Sequence, residues 1–322
     1  MAGELKEQLI QKARSRRQRQ GKRGLSKRPP RPQQPRGIER SYRARLREVA
    51  EMVEGRVREN ILENLSSIVE QAGARDDSAD IRSDNWAQEL ERLVRATTIS
   101  LEDDIEEMAE SLAREAAANL LSHNREQMNR LVRRVLGVDI FESDDRLSGL
   151  VDSWAAENAR LIRSIPNQSL DRIEGLTQRA IRQGTSTRDI TKQIRKEFGV
   201  TQRRARVIAR DQIASLNSDI TRERQREIGI EEYEWSTAAD ERVRGDPGGR
   251  YPDAIPSHYQ MDGKRCRWDD PTVYRDGEDE DWKARSGISG PEQHPGNPIM
   301  CRCVGLPILD DILEEVDDDE NA

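Results

Sequence analysis

The sequence predicts a mainly α-helical N-terminal half, built from a long helical hairpin and further helices, followed by a small α+β module. Apolar residues recur at steps of three and four from residue 42 onward, which is typical of amphipathic helices. Only 34% of the residues are apolar and 4% aromatic, while 36% are charged. Such a composition favours long solvated helices with narrow apolar faces over one large core. All three cysteines and two of the three histidines lie between residues 258 and 303, which indicates a separate small module.

The chain begins with a strongly basic arm. Residues 1–47 hold 16 Lys/Arg and 3 Asp/Glu, a local net charge of +13, whereas the rest of the chain carries −20. Self-repelling charge and repeated proline predict an extended, poorly ordered arm over residues 1–38. Its cations are candidates for neutralising nucleic-acid phosphates without reading sequence, and the alternative is a solubilising or protein-docking tail. The candidate nucleic-acid-binding residues are Lys12, Arg14, Arg16, Arg17, Arg19, Lys22, Arg23, Lys27 and Arg28.

Two long helices are predicted next. One apolar stripe extends from Tyr42 to Ile68, and a second extends from Trp86 to Leu112. Gly73 and the polar run at 76–78 separate them, so the two helices are expected to form an antiparallel hairpin. Packing of the stripes against each other is the simplest interpretation, and docking of one stripe on another protein is the alternative.

Shorter helices follow the hairpin. One apolar pattern spans residues 147–162, and Pro166 is expected to end that helix. Gly184 is expected to end the next one, and Ser186-x-x-Asp189 resembles a capping box that starts a further helix. Gly199 is expected to interrupt the helical pattern before a last helix, with Thr201 as its N-cap, that ends near residue 228.

The remaining sequence has short strand patterns. Tyr233 and Trp235 are two residues apart, which suits a strand with one covered face. Asp262-Gly263 is a turn signal between short segments. Residues 298–307 are predicted to form the last strand.

The scarce sulfur and imidazole groups form a candidate zinc site. Zinc takes four thiolate or imidazole ligands in a tetrahedron, and Cys301 and Cys303 would face the same side of a strand. The candidate ligands are His258, His294, Cys301 and Cys303, with Cys266 as an alternative ligand. The other interpretation has the cysteines as small core residues and the histidines as hydrogen-bonded loop anchors. An odd, clustered number of cysteines argues against a disulfide framework and for synthesis in a reducing, intracellular compartment.

An enzymatic interpretation is also possible for this cluster. Cys301 with His258 or His294 would supply a thiol nucleophile and a base. The sequence shows no residue that would orient such a base, so we predict that the chain is not an enzyme.

The order of motifs in the C-terminal part resembles a known family. Asp240-x-Arg242-Val-Arg244 is followed by His258, Asp262-Gly263, His294-Pro and Cys301-x-Cys303. This order is similar to the C-terminal domain of the phage head morphogenesis family, the Mu F-like minor capsid proteins of tailed viruses, over about residues 165–308. The chain departs from the family pattern in the thirteen residues between Arg244 and His258. We interpret Asp240, Arg242, Arg244, Asp262 and Gly263 as fold-organising residues.

The resemblance implies a minor capsid or head morphogenesis protein, made in the host cytoplasm and located inside the head near the portal vertex. The implied partners are the portal protein, the major capsid or scaffold protein, and packaged double-stranded DNA. The predicted divisions are 1–38, 39–164, 165–308 and an acidic tail at 309–322. A nucleic-acid-processing or toxin-type enzyme and a DNA-binding adaptor are the rival hypotheses. No run of 18 apolar residues occurs, so no membrane partner is expected.

Overall fold

The predicted fold class is confirmed. The computed structural model describes residues 2–22, 24–26, 28–73 and 85–318, so the predicted break at 76–78 lies outside the described residues. The helices are α1 Ala2–Gln20, α2 Arg36–Val57, α3 Leu65–Gly73, α4 Asn85–Leu136, α5 Ser148–Arg182, α6 Thr187–Glu227 and α7 Asp310–Asp318. The strands are β1 Glu232–Ser236, β2 Arg265–Arg267, β3 Val273–Tyr274, β4 Lys283–Ala284 and β5 Val304–Pro307.

The chain forms two compact units. The hairpin unit contains residues 39–116 and 152–210, and the module unit contains residues 1–38, 117–151 and 211–322. Helices α4, α5 and α6 each contribute residues to both units. The two units are defined by contacts in space, whereas the predicted division into 39–164 and 165–308 is based on local sequence signals. The two divisions therefore place their boundaries at different residues.

The hairpin unit contains the predicted antiparallel arrangement, but its first arm is not one α-helix, because a π-helical turn at Arg58–Leu62 separates α2 from α3. The Asn60 amide donates a hydrogen bond to the Thr97 hydroxyl at 3.1 Å, and Arg56 lies 3.8 Å from Asp104. Moving from Arg56 to Asn60 along the first arm, the facing residue moves backward from Asp104 to Thr97, so the two arms are antiparallel. The apolar stripes are buried, which confirms that they form core; their buried members include Tyr42, Leu46, Val49, Val53, Val57, Ile61, Leu65, Ile68, Leu90, Leu93, Leu101, Ile105 and Leu112.

Pro166 does not end its helix, so that prediction is wrong. Helix α5 continues through the proline to Arg182. The proline removes one backbone donor, but apolar side chains on both sides of it are buried. These are Ile162, Ile165, Leu170 and Ile173. Tertiary burial therefore outweighs the local helix-breaking tendency.

The connection between α5 and α6 follows its sequence signals. Gly184 has φ +67°, and the Thr185 N–H returns to the Ala180 carbonyl at 2.9 Å, which closes the end of α5. The Ser186 hydroxyl accepts the Asp189 N–H at 3.2 Å, as a capping residue does. The predicted interruption at Gly199 is wrong, because α6 continues through it without a break.

Residues 2–20 form helix α1, where an extended arm was expected. The apolar face of α1 is buried against the end of α4 and against α7, because Leu9, Ala13 and Ile10 are spaced to share one side of a helix. Helix α7 buries Ile312 and Val316 in the same core. The acidic tail is therefore an amphipathic helix over residues 310–318 rather than only a solvated end.

The module unit contains a three-stranded antiparallel sheet with the order β2-β1-β5. Tyr233 and Trp235 on the central strand are fully buried, as their alternation predicts. Strands β3 and β4 form a separate antiparallel pair. The last strand is shorter than predicted, since it begins at Val304. The core of the module consists of Tyr233, Trp235, Met261, Cys266, Trp268, Tyr274, Cys301 and Cys303.

Over the described ranges, none of the helices combines the length and the apolar character that crossing a membrane requires.

Candidate metal centre

Two loops carry the candidate ligands. His258 precedes a single 3-10 turn at Tyr259–Met261, and its N–H bonds to the Arg244 carbonyl at 3.0 Å. Cys301 ends a turn in which its N–H bonds to the Pro298 carbonyl at 2.8 Å, with Met300 at φ +60°. Both cysteines precede β5, so they do not lie on the strand as predicted, but their sulfurs do lie in one cluster as predicted.

His258, Cys301 and Cys303 form one buried cluster. Their potential ligand atoms all lie within 4.8 Å of one another. The His258 Nδ1 atom lies 3.3 Å from the Cys303 Sγ and 3.4 Å from the Cys301 Sγ. Tetrahedral zinc bonded to nitrogen and sulfur separates such ligand atoms by about 3.6 Å. The cluster therefore has donor types and spacing that are compatible with a metal ion.

The environment of Cys301 favours a thiolate, which is the form that binds metal. Its sulfur accepts the backbone N–H of Gly296 at 3.4 Å and that of Cys303 at 3.3 Å. Burial alone would raise the pKa of the Cys301 thiol, but hydrogen bonds from Cys303 and His258 lower it well below its usual range. Burial and the neighbouring Cys301 raise the pKa of Cys303. The cluster thus favours a thiolate on Cys301 next to a neutral thiol on Cys303.

His294 and Cys266 lie outside this cluster. The His294 Nδ1 atom lies 3.2 Å from the Tyr233 hydroxyl, and burial lowers the pKa of this histidine to about 4. Cys266 lies on β2 in the module core, where burial raises its pKa to about 11. The structure brings together three of the four predicted ligands, and His294 is a hydrogen-bonded anchor in this arrangement.

Within the described part of the chain, no fourth His, Cys, Asp or Glu joins the three ligands. A closed structural zinc site has four protein ligands. The His258 Nε2 atom is buried and makes no hydrogen bond among the described residues. A metal-bound His258 would leave that N–H without the usual outer partner. The donor types fit zinc, and the number of protein ligands is one short of a closed structural site.

The nucleophile interpretation needs access to Cys301. Cys301 and His258 each expose 3% of their surface. A substrate would reach the sulfur only after the module core opened. The geometry therefore favours a structural role for the cluster.

Asp240 and Arg244 hold the loops around the cluster in place. The Asp240 carboxylate forms a two-point ion pair with Arg302 and accepts the Arg242 N–H at 3.0 Å. Arg244 donates to the Ile299 carbonyl at 2.5 Å. Arg242 itself is exposed, so its backbone rather than its side chain takes part.

Asp262 and Gly263 form the predicted turn. The Lys264 N–H bonds to the Met261 carbonyl at 3.0 Å, and Gly263 has φ +78°, which a type II turn requires at its third position. The Asp262 carboxylate accepts the N–H of Thr237 at 2.7 Å and its hydroxyl at 2.9 Å. This aspartate ties the turn to the end of β1.

Sequence reasoning missed Arg285, which organises the module core. The side chain is fully buried and donates to the carbonyls of Val273 at 3.1 Å, Pro291 at 3.1 Å and Gln293 at 2.8 Å. It also donates to the Tyr233 hydroxyl at 2.9 Å. An arginine in an acidic loop carries no sequence signal of burial, because its acceptors are main-chain carbonyls, which every residue type provides.

Gln225 on α6 was also missed. Its amide accepts the Trp268 indole N–H at 2.9 Å and donates to the Gly305 carbonyl at 3.0 Å. The side chain is fully buried. It joins the end of α6 to β5 and to the module core. The sequence alone does not distinguish it from a surface glutamine, because its partners Trp268 and Gly305 lie far along the chain.

Most of the candidate nucleic-acid-binding cations on α1 already have protein partners. Arg17 and Lys22 pair with Asp317 on α7, the latter at 2.8 Å, and Arg14 donates to the Glu315 carbonyl at 2.6 Å. Acidic side chains of α7 therefore occupy positions that a polyanion would take.

The other cations of the predicted set are more accessible. Lys12 pairs with Glu142 at 3.1 Å, with both side chains substantially exposed. Arg16 and Arg19 donate to carbonyls within their own segment, of Gly21 at 2.5 Å and Ser15 at 3.0 Å. Arg28 is exposed. Arg23 and Lys27 lie outside the described residues.

Comparison with known proteins settles the family of the C-terminal part. Residues 171–306 match the family model described as Phage Mu protein F like protein. This segment belongs to the phage Mu F-like family. The Mu F-like segment contains the whole of the sheet apart from the last residue of β5, together with the His258, Cys301 and Cys303 cluster.

The chain is also similar to a protein of Haemophilus influenzae (strain ATCC 51907 / DSM 11121 / KW20 / Rd) named "Uncharacterized protein". The two are 29% identical over 205 residues, which is 63% of this chain and 40% of the relative. The chain thus spans well under half of that relative's length. No solved structure matches the chain.

Proposed function

We propose that this chain is a minor capsid protein that takes part in head morphogenesis of a tailed virus. The observation that carries the proposal is the Mu F-like segment at residues 171–306. The site supports a structural role, because the sulfur and imidazole groups are buried in the module core. In this proposal the chain is made in the host cytoplasm and becomes an internal head component near the portal vertex.

A cluster of exposed apolar side chains supports docking on another head protein, the portal, the major capsid protein or a scaffold. Four of the five large apolar residues exposed in the described part of the chain are Tyr251, Ile255, Tyr259 and Ile299. Three of them are linked by hydrogen bonds: the Gly245 N–H bonds to the Tyr251 carbonyl, the Tyr259 N–H to the Arg244 carbonyl, and the Arg244 side chain to the Ile299 carbonyl. Ile255 lies between Tyr251 and Tyr259 in the chain. Clustered exposed apolar groups are typical of protein–protein contacts.

Incorporation into heads tests this function. The gene is deleted from the virus or prophage that carries it, complemented with variants, and purified heads are examined by quantitative mass spectrometry. We expect wild-type chain in heads and much less of the Ile255→Ser/Ile299→Ser variant. Ile99→Ser is the control, because Ile99 is also a largely exposed isoleucine but lies in the hairpin unit. Absence of the wild-type chain from heads would overturn the proposal.

The proposal includes sequence-independent contact with packaged DNA. Exposed cations such as Lys12, Arg19 and Arg28 supply charge without a stacking platform. Deleting the whole arm is a poor test of this contact, because α1 contributes Leu9 and Ala13 to the core of the module unit. Charge-neutralising substitutions test it without disturbing that core.

We also propose that His258, Cys301 and Cys303 bind one zinc ion with a structural role. A bound zinc would crosslink the His258 loop to the turn before β5, and water or a main-chain carbonyl would complete the tetrahedron. Elemental analysis of the purified chain should find about one zinc per chain, and Cys303→Ser should lose it. Cys266→Ser is the matched control, because that cysteine is buried but lies outside the cluster. A folded wild-type chain without zinc would contradict this part of the proposal.

A further inference from the structure

A groove in the module unit has the chemistry of a phosphate site. Its volume is about 380 Å³, within the lower range of ligand pockets. It lies between the segment before α2 and the facing ends of β1 and β5. The lining includes Arg31, Gln33, Arg36, Ser236, Thr237 and Val304, with two arginines and no acidic residue among all its lining residues.

The two arginines differ from the cations of α1. Arg31 and Arg36 are exposed, and within the described part of the chain neither forms an ion pair with a carboxylate. Arg14, Arg17 and Lys22, by contrast, contact α7. The groove therefore offers guanidinium groups that no acidic side chain of the described chain neutralises.

The Ser236 hydroxyl is a second feature that points to a ligand. The residue is 3% exposed, lines the groove, and makes no side-chain hydrogen bond with any described residue. The adjacent Thr237 hydroxyl instead donates to Asp262 at 2.9 Å. A nearly buried hydroxyl without a protein partner at the wall of a cationic groove suits an acceptor supplied by a ligand.

The groove is also preorganised. The Gln33 N–H donates to the Gln127 side chain at 2.5 Å, and the Gln34 amide donates to the Arg302 carbonyl at 2.5 Å. These bonds hold the segment between Arg31 and Arg36 against the module. Helix α2 begins at Arg36, whose own N–H bonds to the Gln34 carbonyl at 2.8 Å. The following N–H groups of the first turn lack intrahelical partners and add positive potential there.

We propose that this groove binds phosphate groups of a DNA backbone through Arg31, Arg36 and the Ser236 hydroxyl. Guanidinium groups bind phosphate oxygens in two-point contacts, and hydroxyl and helix-end N–H donors complete the shell. Nothing in the groove offers an aromatic stacking platform, so the contact is independent of base sequence. The inference rests on the DNA contact proposed above for its choice of ligand, and it adds the groove as a preorganised phosphate site beside the exposed cations of the arm.

The salt dependence of duplex binding tests this assignment. A short labelled duplex of mixed sequence is titrated with the full chain, and the slope of log K against log salt concentration is measured. Loss of two phosphate contacts in Arg31→Ala/Arg36→Ala should make the slope less negative by about 1.8. The matched control, Arg188→Ala/Arg195→Ala, removes the same charge from two exposed arginines of the hairpin unit and should change the slope by less than half of that amount. Equal changes in the two variants, or no change in the first, would overturn the proposal.

Two further measurements make the result specific. Ser236→Ala should weaken duplex binding roughly fivefold, the effect of one lost hydrogen bond. Inorganic phosphate is titrated in parallel. Saturable binding of phosphate that depends on Arg31 and Arg36, without binding of duplex, would identify a free-anion site and reject DNA as the ligand.

The duplex-binding result can be interpreted independently of the role in head assembly. Circular dichroism and thermal unfolding confirm that the variants are folded, which is expected because both arginines are exposed. Incorporation into heads is measured separately on the same variants. Heads that contain the double variant while it fails to bind duplex would support the groove and leave the head function intact. Absence of the wild-type chain from heads would reject the head function and leave the duplex measurement unaffected.

Discussion

Acidification should destabilise the module unit through His294. Burial lowers the pKa of His294 to about 4, and the positive charges of Arg222 and Arg285 lower it further in the same direction. Its ordinary pKa is about 6.5. As the pH falls below about 6.5, the unfolded chain takes up a proton that the folded chain does not, so the free energy of unfolding decreases. The loss continues until about pH 4, where the folded histidine is also protonated.

The size of the effect follows from these two pKa values. Between pH 7 and pH 5 the histidine should reduce the free energy of unfolding by about 2 kcal/mol, and the full shift of about 2.5 units sets an upper limit near 3 kcal/mol. With a denaturant slope of about 2 kcal/mol/M, the urea midpoint should fall by about 1 M. This fall is added to that caused by other titrating groups.

The matched variant His294→Gln isolates the contribution. Glutamine does not titrate, and its carbonyl can still accept the Tyr233 hydroxyl that His294 contacts at 3.2 Å. Urea unfolding followed by tryptophan fluorescence is measured at pH 7 and pH 5 for both proteins. A chelator is present so that metal release does not contribute. We expect the decrease between the two pH values to be about 2 kcal/mol larger for the wild type than for the variant.

Equal pH dependence in the two proteins would refute the reasoning. It would mean that His294 is solvated enough to keep its ordinary pKa, or that it is protonated and hydrogen-bonded in the folded chain. A direct NMR titration of the His294 ring separates these outcomes, since each gives a different midpoint.

The other predictions concern packing and buried charge. Gly305→Ala should destabilise the module unit by about 1–3 kcal/mol, because the new Cβ would lie 2.8 Å from two ring atoms of a buried tryptophan. Gly55→Ala in α2, where the new Cβ meets open space, should instead stabilise the chain by up to about 1 kcal/mol. If Gly305→Ala and Gly55→Ala shifted the melting temperature in the same direction, the packing argument would be contradicted. Arg285→Lys should cost about 3 kcal/mol or more, since an ammonium group cannot reach four separated acceptors; urea unfolding unchanged from wild type would refute this. Asp317→Asn should cost about 1–3 kcal/mol by removing a carboxylate partner of the buried Arg17, and a neutral effect on thermal unfolding would show that this pair contributes nothing.

Local signals were sufficient where the determining interactions are themselves local. The stripes at 42–68 and 86–112 are buried as their spacing predicts, because helical periodicity depends only on neighbours in sequence. The Ser186 cap and the turn at Asp262-Gly263 have the expected hydrogen bonds for the same reason.

Long-range burial reversed several local signals. Pro166 and Gly199 lie inside continuous helices, because apolar faces on both sides of them are buried. The basic arm is helical over residues 2–20, because its few apolar residues meet the apolar face of α7. That partner lies some 300 residues away along the chain, as the contacts of Arg17 with Asp317 show.

By itself, the amino-acid sequence determined the helix-rich class, the alternating central strand, the Mu F-like order of motifs and the set of groups able to bind metal. Tertiary structure decided which of those groups meet. It joined His258 to Cys301 and Cys303, placed His294 against Tyr233, and buried Arg285 among main-chain carbonyls. The physical reason is that ligand geometry depends on where separate loops converge, and that position follows from packing between residues distant in the chain.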